Sequence, residues 1–198
     1  MTNATNTTTM PLGDLLRSLC ACSDAVTWAM PYATLDEAWA ACPRADWMLW
    51  LAGRLAGPER ASAGRRALVL CACACARTAL VHVRAGERRP LAAIEISERW
   101  ARGEQGVTAA DVRDASAAAH VYAMADTVRA APTHAAYAAA ATAYFPYYAA
   151  SHAADAAACA DAASAAAYAS DADARHSHLR ALANLVRQHY PQPPEDLR

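Results

Sequence analysis

The sequence predicts an all-α fold, on three observations. About three residues in ten are alanine, the best helix former because it has no side-chain freedom to lose. Strand formers are scarce: there is one Phe, and Ile and Val are few. Proline, glycine and short polar caps recur at helical spacing with little else between them. The expected architecture is a single helical bundle of about eight to ten helices with a long Ala-rich C-terminal helical half. A disordered tail is expected over 1–10 and a helical domain over 11–190. The 11–104 half of that domain forms a Trp/Cys core, and 105–190 is its Ala-rich half. A Pro-rich tail covers 191–198.

The elements follow in order. Pro11 opens a short helix through LGDLLRSLC. Ser23 is the expected N-cap of DAVTWAM, which Pro31 stops. Thr34 and Glu37 have capping-box spacing ahead of TLDEAWAAC, since hydroxyl and carboxylate can each satisfy an orphan N–H. Pro43 separates that helix from ADWMLWLAGRL, and Gly57-Pro58 marks a turn. A long helix is expected from Glu59 to Val83, ending near Gly86. Pro90 takes the first position of PLAAIEISERWARG, which Gly103 closes. Thr108 caps a helix reaching Ala130, with Asp111 near the positive end of its dipole. HAAYAAAATAY stops near Phe145-Pro146, and one long or two collinear helices run from Tyr147 to Tyr190.

The stretch from Ala109 to Ser170 is nearly low-complexity, yet its larger residues are spaced like a helix face: Val112, His120, Tyr122 and Val128, then Tyr137, Tyr144 and Tyr148, then Cys159 and Tyr168. Alanine faces let helix axes approach closely, so many short contacts replace large buried areas.

Composition excludes several functions. Net charge is −1, which argues against binding nucleic acid through bulk electrostatics, although arginines dominate 59–102 and carboxylates 111–173. Every basic residue is arginine. No window reaches the roughly 18 to 20 strongly apolar residues of a membrane span. The polar N-terminus has no basic segment followed by an apolar run, so no secretory signal is expected. Seven cysteines, an odd number, then predict free thiols in a reducing cytoplasm.

The segment CACACA raises the question of a metal or redox centre. On a helix Cys71 and Cys75 share a face, while Cys73 points about 200° away from each, so one ion could not reach all three without breaking the helix. Cys20, Cys22 and Cys42 could supply further ligands, but C-x-C is not the usual zinc spacing and no histidine cluster completes a set. Buried cysteine packs as a small hydrophobe, and packing is the expected role. His152 with Asp155, and His134 with Tyr137, are i, i+3 pairs whose spacing would allow a shared metal or proton-transfer role, but a polar helix surface is the expected reading. His176 and His178 flank Ser177 on different faces. There is no nucleophile elbow, Walker loop, dinucleotide-binding glycine pattern or H-E-x-x-H. No catalytic residue, cofactor or metal is expected.

DWMLW and IEISERW carry the most specific side chains. Trp47 and Trp50 share a helix face; Glu95 and Arg99 are spaced to pair, and Arg102 lies one turn from Glu98. Buried indoles need an N–H partner, which Asp46, Glu95 or Glu98 could provide. Trp and Arg are frequent interface anchors and also the largest core fillers in an Ala-rich chain, so Trp47, Trp50 and Trp100 admit both readings. The candidate partner-binding set is Trp47, Trp50, Arg77, Glu95, Glu98, Arg99 and Arg102.

ACSDAVTWA, TLDEAWAACPRADWMLWLA, ALVLCACACARTAL, RRPLAAIEISERWARGE and LANLVRQHYPQPP, in this order, resemble the immunity-protein-five-like family of bacterial polymorphic-toxin neighbourhoods and phage genomes. The resemblance spans about Asp14 to Pro194 and rests on W-x-x-W, C-x-C-A-R-T-A-L and I-E-x-x-E-R-W. It implies an all-helical cytoplasmic protein that binds and neutralises a protein toxin or effector without catalysis, and it supplies no catalytic residues. A phage anti-defence inhibitor of a bacterial nuclease complex is the alternative, and a metal-binding or enzymatic helical protein the second alternative. The expected partner is a protein effector, with no direct nucleic acid or membrane contact, and homodimerisation is a further expectation because Ala-rich helices self-associate.

Overall fold

The computed structural model describes residues 10–55, 62–125, 138 and 175–193. Among these are eight α-helices, one 3₁₀ turn and no strand, so the chain is all-α. Its contacts divide it into two units, Met1–Ala41 and Cys42–Arg198. The sequence-level expectations over 1–9, 56–61, 126–137, 139–174 and 194–198 lie outside the described residues. They include the N-terminal tail, the helix start at Glu59, the pairs at His134 and His152, and the tyrosines from Tyr137 to Tyr168.

The first unit holds α1 (Leu12–Ser18), α2 (Ser23–Ala29) and α3 (Leu35–Ala41). Pro11 is the residue before α1, and its carbonyl accepts from the N–H groups of Asp14 and Leu15. α1 ends in a left-handed residue that is not glycine: Cys20 has φ +64°. Its N–H donates to the Arg17 carbonyl (2.9 Å) and that of Ala21 to the Leu16 carbonyl (2.9 Å), the two bonds of a Schellman end. Ser23 does not cap α2 as expected. It is the first helical residue, because the chain leaving the Cys20 turn already places Cys22 in the extended conformation of the cap. The Thr34–Glu37 capping box forms: Glu37 N–H donates to Thr34 Oγ1 (3.2 Å), and the Ala33 and Thr34 N–H groups donate to Glu37 Oε2 (2.9 and 3.4 Å). α1 packs on α2, with Leu12, Leu16, Val26 and Ala29 buried.

The second unit holds α4 (Ala45–Leu55), α5 (Ala63–Arg77), the 3₁₀ turn Leu80–His82, α6 (Arg89–Ala101), α7 (Ala109–Ala125) and α8 (Arg175–His189). α5 is central. It packs on α4, α6 and α8, while α6 also packs on α7 and α8 on α4. α6 and α7 come from either side of 104/105 and pack directly on each other.

A helix with neighbours on several sides must be apolar around most of its circumference. In α5, Leu68, Val69, Cys71, Ala72, Cys73, Cys75 and Ala76 all have no exposed surface. The alternating cysteines thus answer to crowding: small side chains point at different neighbours and let the axes approach. Cys73 Sγ reaches the Ile94 carbonyl of α6 at 3.9 Å. A fully buried Leu, Ile or Val contributes roughly 1.5–3 kcal/mol, and alanine far less. The hydrophobic drive therefore rests on a few such residues, among them Leu49, Leu68, Val69, Ile94, Val112, Leu182 and Val186, all buried.

α5 ends earlier than Val83. Thr78 Oγ1 donates to the Cys75 carbonyl (2.7 Å), and the N–H groups of Thr78 and Ala79 reach back three residues, to Cys75 and Ala76, not four. The last turn thereby tightens and passes into the 3₁₀ turn. Ser62 caps the other end by accepting from Arg65 N–H (3.2 Å). α6 closes at Gly103, φ +73°, with a Schellman pair from Gly103 to Trp100 (2.9 Å) and from Glu104 to Arg99 (3.1 Å). Pro90 is the second helical residue, one later than expected. α7 begins after a Thr108–Asp111 box. Its buried stripe is Val112, Ala119, Tyr122 and Ala123, whereas His120, expected on that face, is exposed because it follows Ala119 by one residue, about 100° around the helix.

Candidate functional site

The charged residues of α6 divide into an inner and an outer set. Glu98 is the inner one, 9 % exposed. Arg77, the last residue of α5, forks onto it: Nε to Oε1 at 2.7 Å and Nη2 to Oε2 at 2.9 Å. Arg102, one turn further along, adds a contact to Oε2 at 3.4 Å. The hydrogen bonds from Arg77 hold the Glu98 carboxyl below the usual carboxylate range, against the opposing effect of its burial. A two-point fork fixes guanidinium orientation as well as distance, so the C-terminus of α5 and the last turn of α6 are locked together.

The outer set borders a groove of about 410 Å³ between α6 and α7. Ala92, Ile96 and Ala115 line its apolar part, and Glu95, Arg99, Asp111 and Asp114 its polar part. Arg99 does not pair with Glu95 as the spacing suggested. It bends to the helix end and donates to Glu104 Oε2 (2.8 Å). Asp111 Oδ2 accepts from the Thr108 N–H (2.7 Å) and hydroxyl (2.6 Å), and the hydroxyl bond leads in lowering its pKa. Asp114 accepts from Arg113 (2.8 Å). Three of the four ionisable groups here are therefore already held by neighbours.

The tryptophans separate similarly. Trp100 is buried, 8 % exposed, beneath the Arg66 guanidinium 5.4 Å from its ring. Arg66 also donates to the Trp100 carbonyl (3.1 Å), a cation at the negative end of α6. Trp47 and Trp50 are half-buried, on the side of α4 that its core residues Met48, Leu49 and Ala52 leave outward. Arg44 lies 4.6 Å from the centre of the Trp47 ring while donating through Nε to Asp46 Oδ1 (2.8 Å). Asp46 and Glu98, considered as indole acceptors, thus hold arginines.

A further polar cluster joins distant segments. His178 of α8 meets Thr78 at 3.2 Å. The Thr78 hydroxyl also donates to the Cys75 carbonyl at 2.7 Å, which leaves its oxygen able to accept from the His178 ring. Burial, then the neighbouring His82, lowers the His178 pKa. Arg187, also on α8, donates to the Cys42 carbonyl (2.8 Å) and to Asn184 (2.7 Å). Burial pushes the Cys42 thiol up to about 11, away from a reactive thiolate. Glu87, doubly bonded by Arg89, is held at about 2.

The structure thus brings Arg77, Glu98 and Arg102 into one network, sets Glu95 and Arg99 beside the groove, and keeps Trp47 and Trp50 apart from both on α4. Sequence reasoning left Arg66, Arg44 and the buried Arg65 out of the candidate set and gave His178 no role. Arg44 was within reach of local reasoning, three residues before Trp47; Arg66 and His178 depend on contacts across 34 and 100 residues. Among the described residues no group of three His, Cys, Asp or Glu side chains gathers around a common point, and no helix is long and apolar enough to cross a membrane. No family model, curated protein or solved structure matches the chain.

Proposed function

We propose that the chain is a non-catalytic binding protein that captures and neutralises a protein effector, in the manner implied by its resemblance to immunity proteins. The observation that carries this reading is the outer edge of α6. Glu95 and Arg99 are exposed beside an open, partly apolar groove, while the buried Glu98 is immobilised between Arg77 and Arg102. A rigid helix with exposed charges of both signs suits an electrostatically guided protein contact. Arg99, Asp111 and Asp114 are engaged by neighbours, whereas proton transfer needs a group free to reach its substrate. The half-buried Trp47 and Trp50 provide the second anchor type.

The test is affinity capture from a host extract by the wild-type chain and by a Glu95→Arg, Arg99→Glu double variant, followed by calorimetry with the purified captured protein and assay of its activity. Wild type should bind it and suppress its activity, and the double variant should lose about 2 kcal/mol, some thirtyfold in affinity. Equal affinity of both chains, or capture without suppression, would remove the proposal.

A further inference from the structure

The six described cysteines fall into two classes. Cys42, Cys71, Cys73 and Cys75 are buried; Cys20 and Cys22 are free, exposed and one residue apart in the link between α1 and α2. The exposed pair cannot be filling space as the α5 thiols do. Two Cα steps of 3.8 Å limit the separation of their Cα atoms to about 7 Å. That separation is within the span over which two cysteine side chains can share one small ion.

Cys20 is also, among the described residues, the single non-glycine with positive φ. The position is the left-handed end of a Schellman motif, where glycine is the favoured residue and a Cβ is penalised. A thiol kept where the backbone prefers no side chain points to a use for that thiol.

We propose that Cys20 and Cys22 form a two-thiolate site for a soft monovalent cation, Cu(I). Ligand number selects the ion. Among the described residues no third His, Cys, Asp or Glu joins them, so a tetrahedral Zn²⁺ shell would lack two of its four protein ligands. Thiolates favour Cu(I), which two sulfurs in line can satisfy. Binding releases one proton from each thiol to solvent and forms two Cu–S bonds, with no electron transferred. Ala21 between the ligands adds no bulk and no competing donor.

The test is an anaerobic titration of the reduced full-length protein with Cu(I) against the chromogenic chelator bathocuproine disulfonate. The wild-type chain should withhold one Cu(I) per chain. Cys20→Gly and Cys22→Ser should each weaken retention at least tenfold, and Cys159→Ser should leave it unchanged. Cys20→Gly also guards against a folding artefact, because glycine suits the position: its thermal midpoint should equal or exceed that of the wild type while copper is lost. The site is overturned if the chelator removes copper from the wild type as readily as from Cys22→Ser, or if Cys159→Ser is the variant that loses it.

Discussion

Glu98 illustrates how a single carboxylate organises its surroundings. It is nearly buried, yet Arg77 and Arg102 supply hydrogen bonds that outweigh the cost of taking it from water. Glu98→Gln keeps the shape and removes the charge, leaving the Arg77 fork unmatched. It should destabilise the chain by about 2 kcal/mol near pH 7, less than for a fully buried pair because Arg77 is partly exposed. The pH dependence follows from the lowered carboxyl. Its stabilisation is fully present above the unfolded value of 4.5 and is lost as pH falls through the folded value. Urea midpoints of the two chains should therefore converge on acidification below 4.5; a constant gap would mean that Glu98 acts through packing alone. The Glu98–Arg102 contact was legible in the sequence as i, i+4 spacing. Arg77–Glu98 was not, because 21 residues separate the partners and only the packing of α5 on α6 brings them together. Arg99 shows the limit of spacing rules, since a backbone turn at Gly103 offers it Glu104 instead of Glu95.

Two helices carry the argument at the scale of elements. α5 is buried on several sides, so its small residues set how closely its neighbours approach. Cys73→Leu adds bulk at a site with no exposed surface and should cost about 1–3 kcal/mol by overpacking. Chemical denaturation would reveal the loss, and a neutral result would show that α6 can move away freely. Gly103 ends α6 in a conformation L-residues avoid, and a Cβ there would lie 2.8 Å from Arg66 Nη1. Gly103→Ala should cost about 1–2 kcal/mol, as strain adds to displacement of the Arg66 bond to Trp100. Unchanged thermal stability would contradict this account of the α6 terminus. Helix order, the limits of α4, the Thr34–Glu37 capping box, the Thr108 cap and the Gly103 terminus were legible, because propensity and cap chemistry are local. The end of α5 was not: the Thr78 and Ala79 N–H groups turn to carbonyls three residues back within a sequence that still reads as helix. The outward set of His120 escaped for a related reason, since in a run of alanines the buried stripe is chosen by neighbouring helices.

Across the second unit, the α5 thiols and the Trp100 indole are interior packing, and the partner contact proposed above falls to the exposed edge of α6. A reaction centre built on Cys71, Cys73 and Cys75 would need at least one accessible sulfur, whereas all three lack exposed surface. The most direct measurement is alkylation of the folded, reduced Cys159→Ser chain with iodoacetamide, read by intact mass and peptide mapping. Cys20 and Cys22 should be modified rapidly, and Cys42, Cys71, Cys73 and Cys75 only after denaturant is added. Rapid labelling of any α5 cysteine in the folded chain would contradict the account.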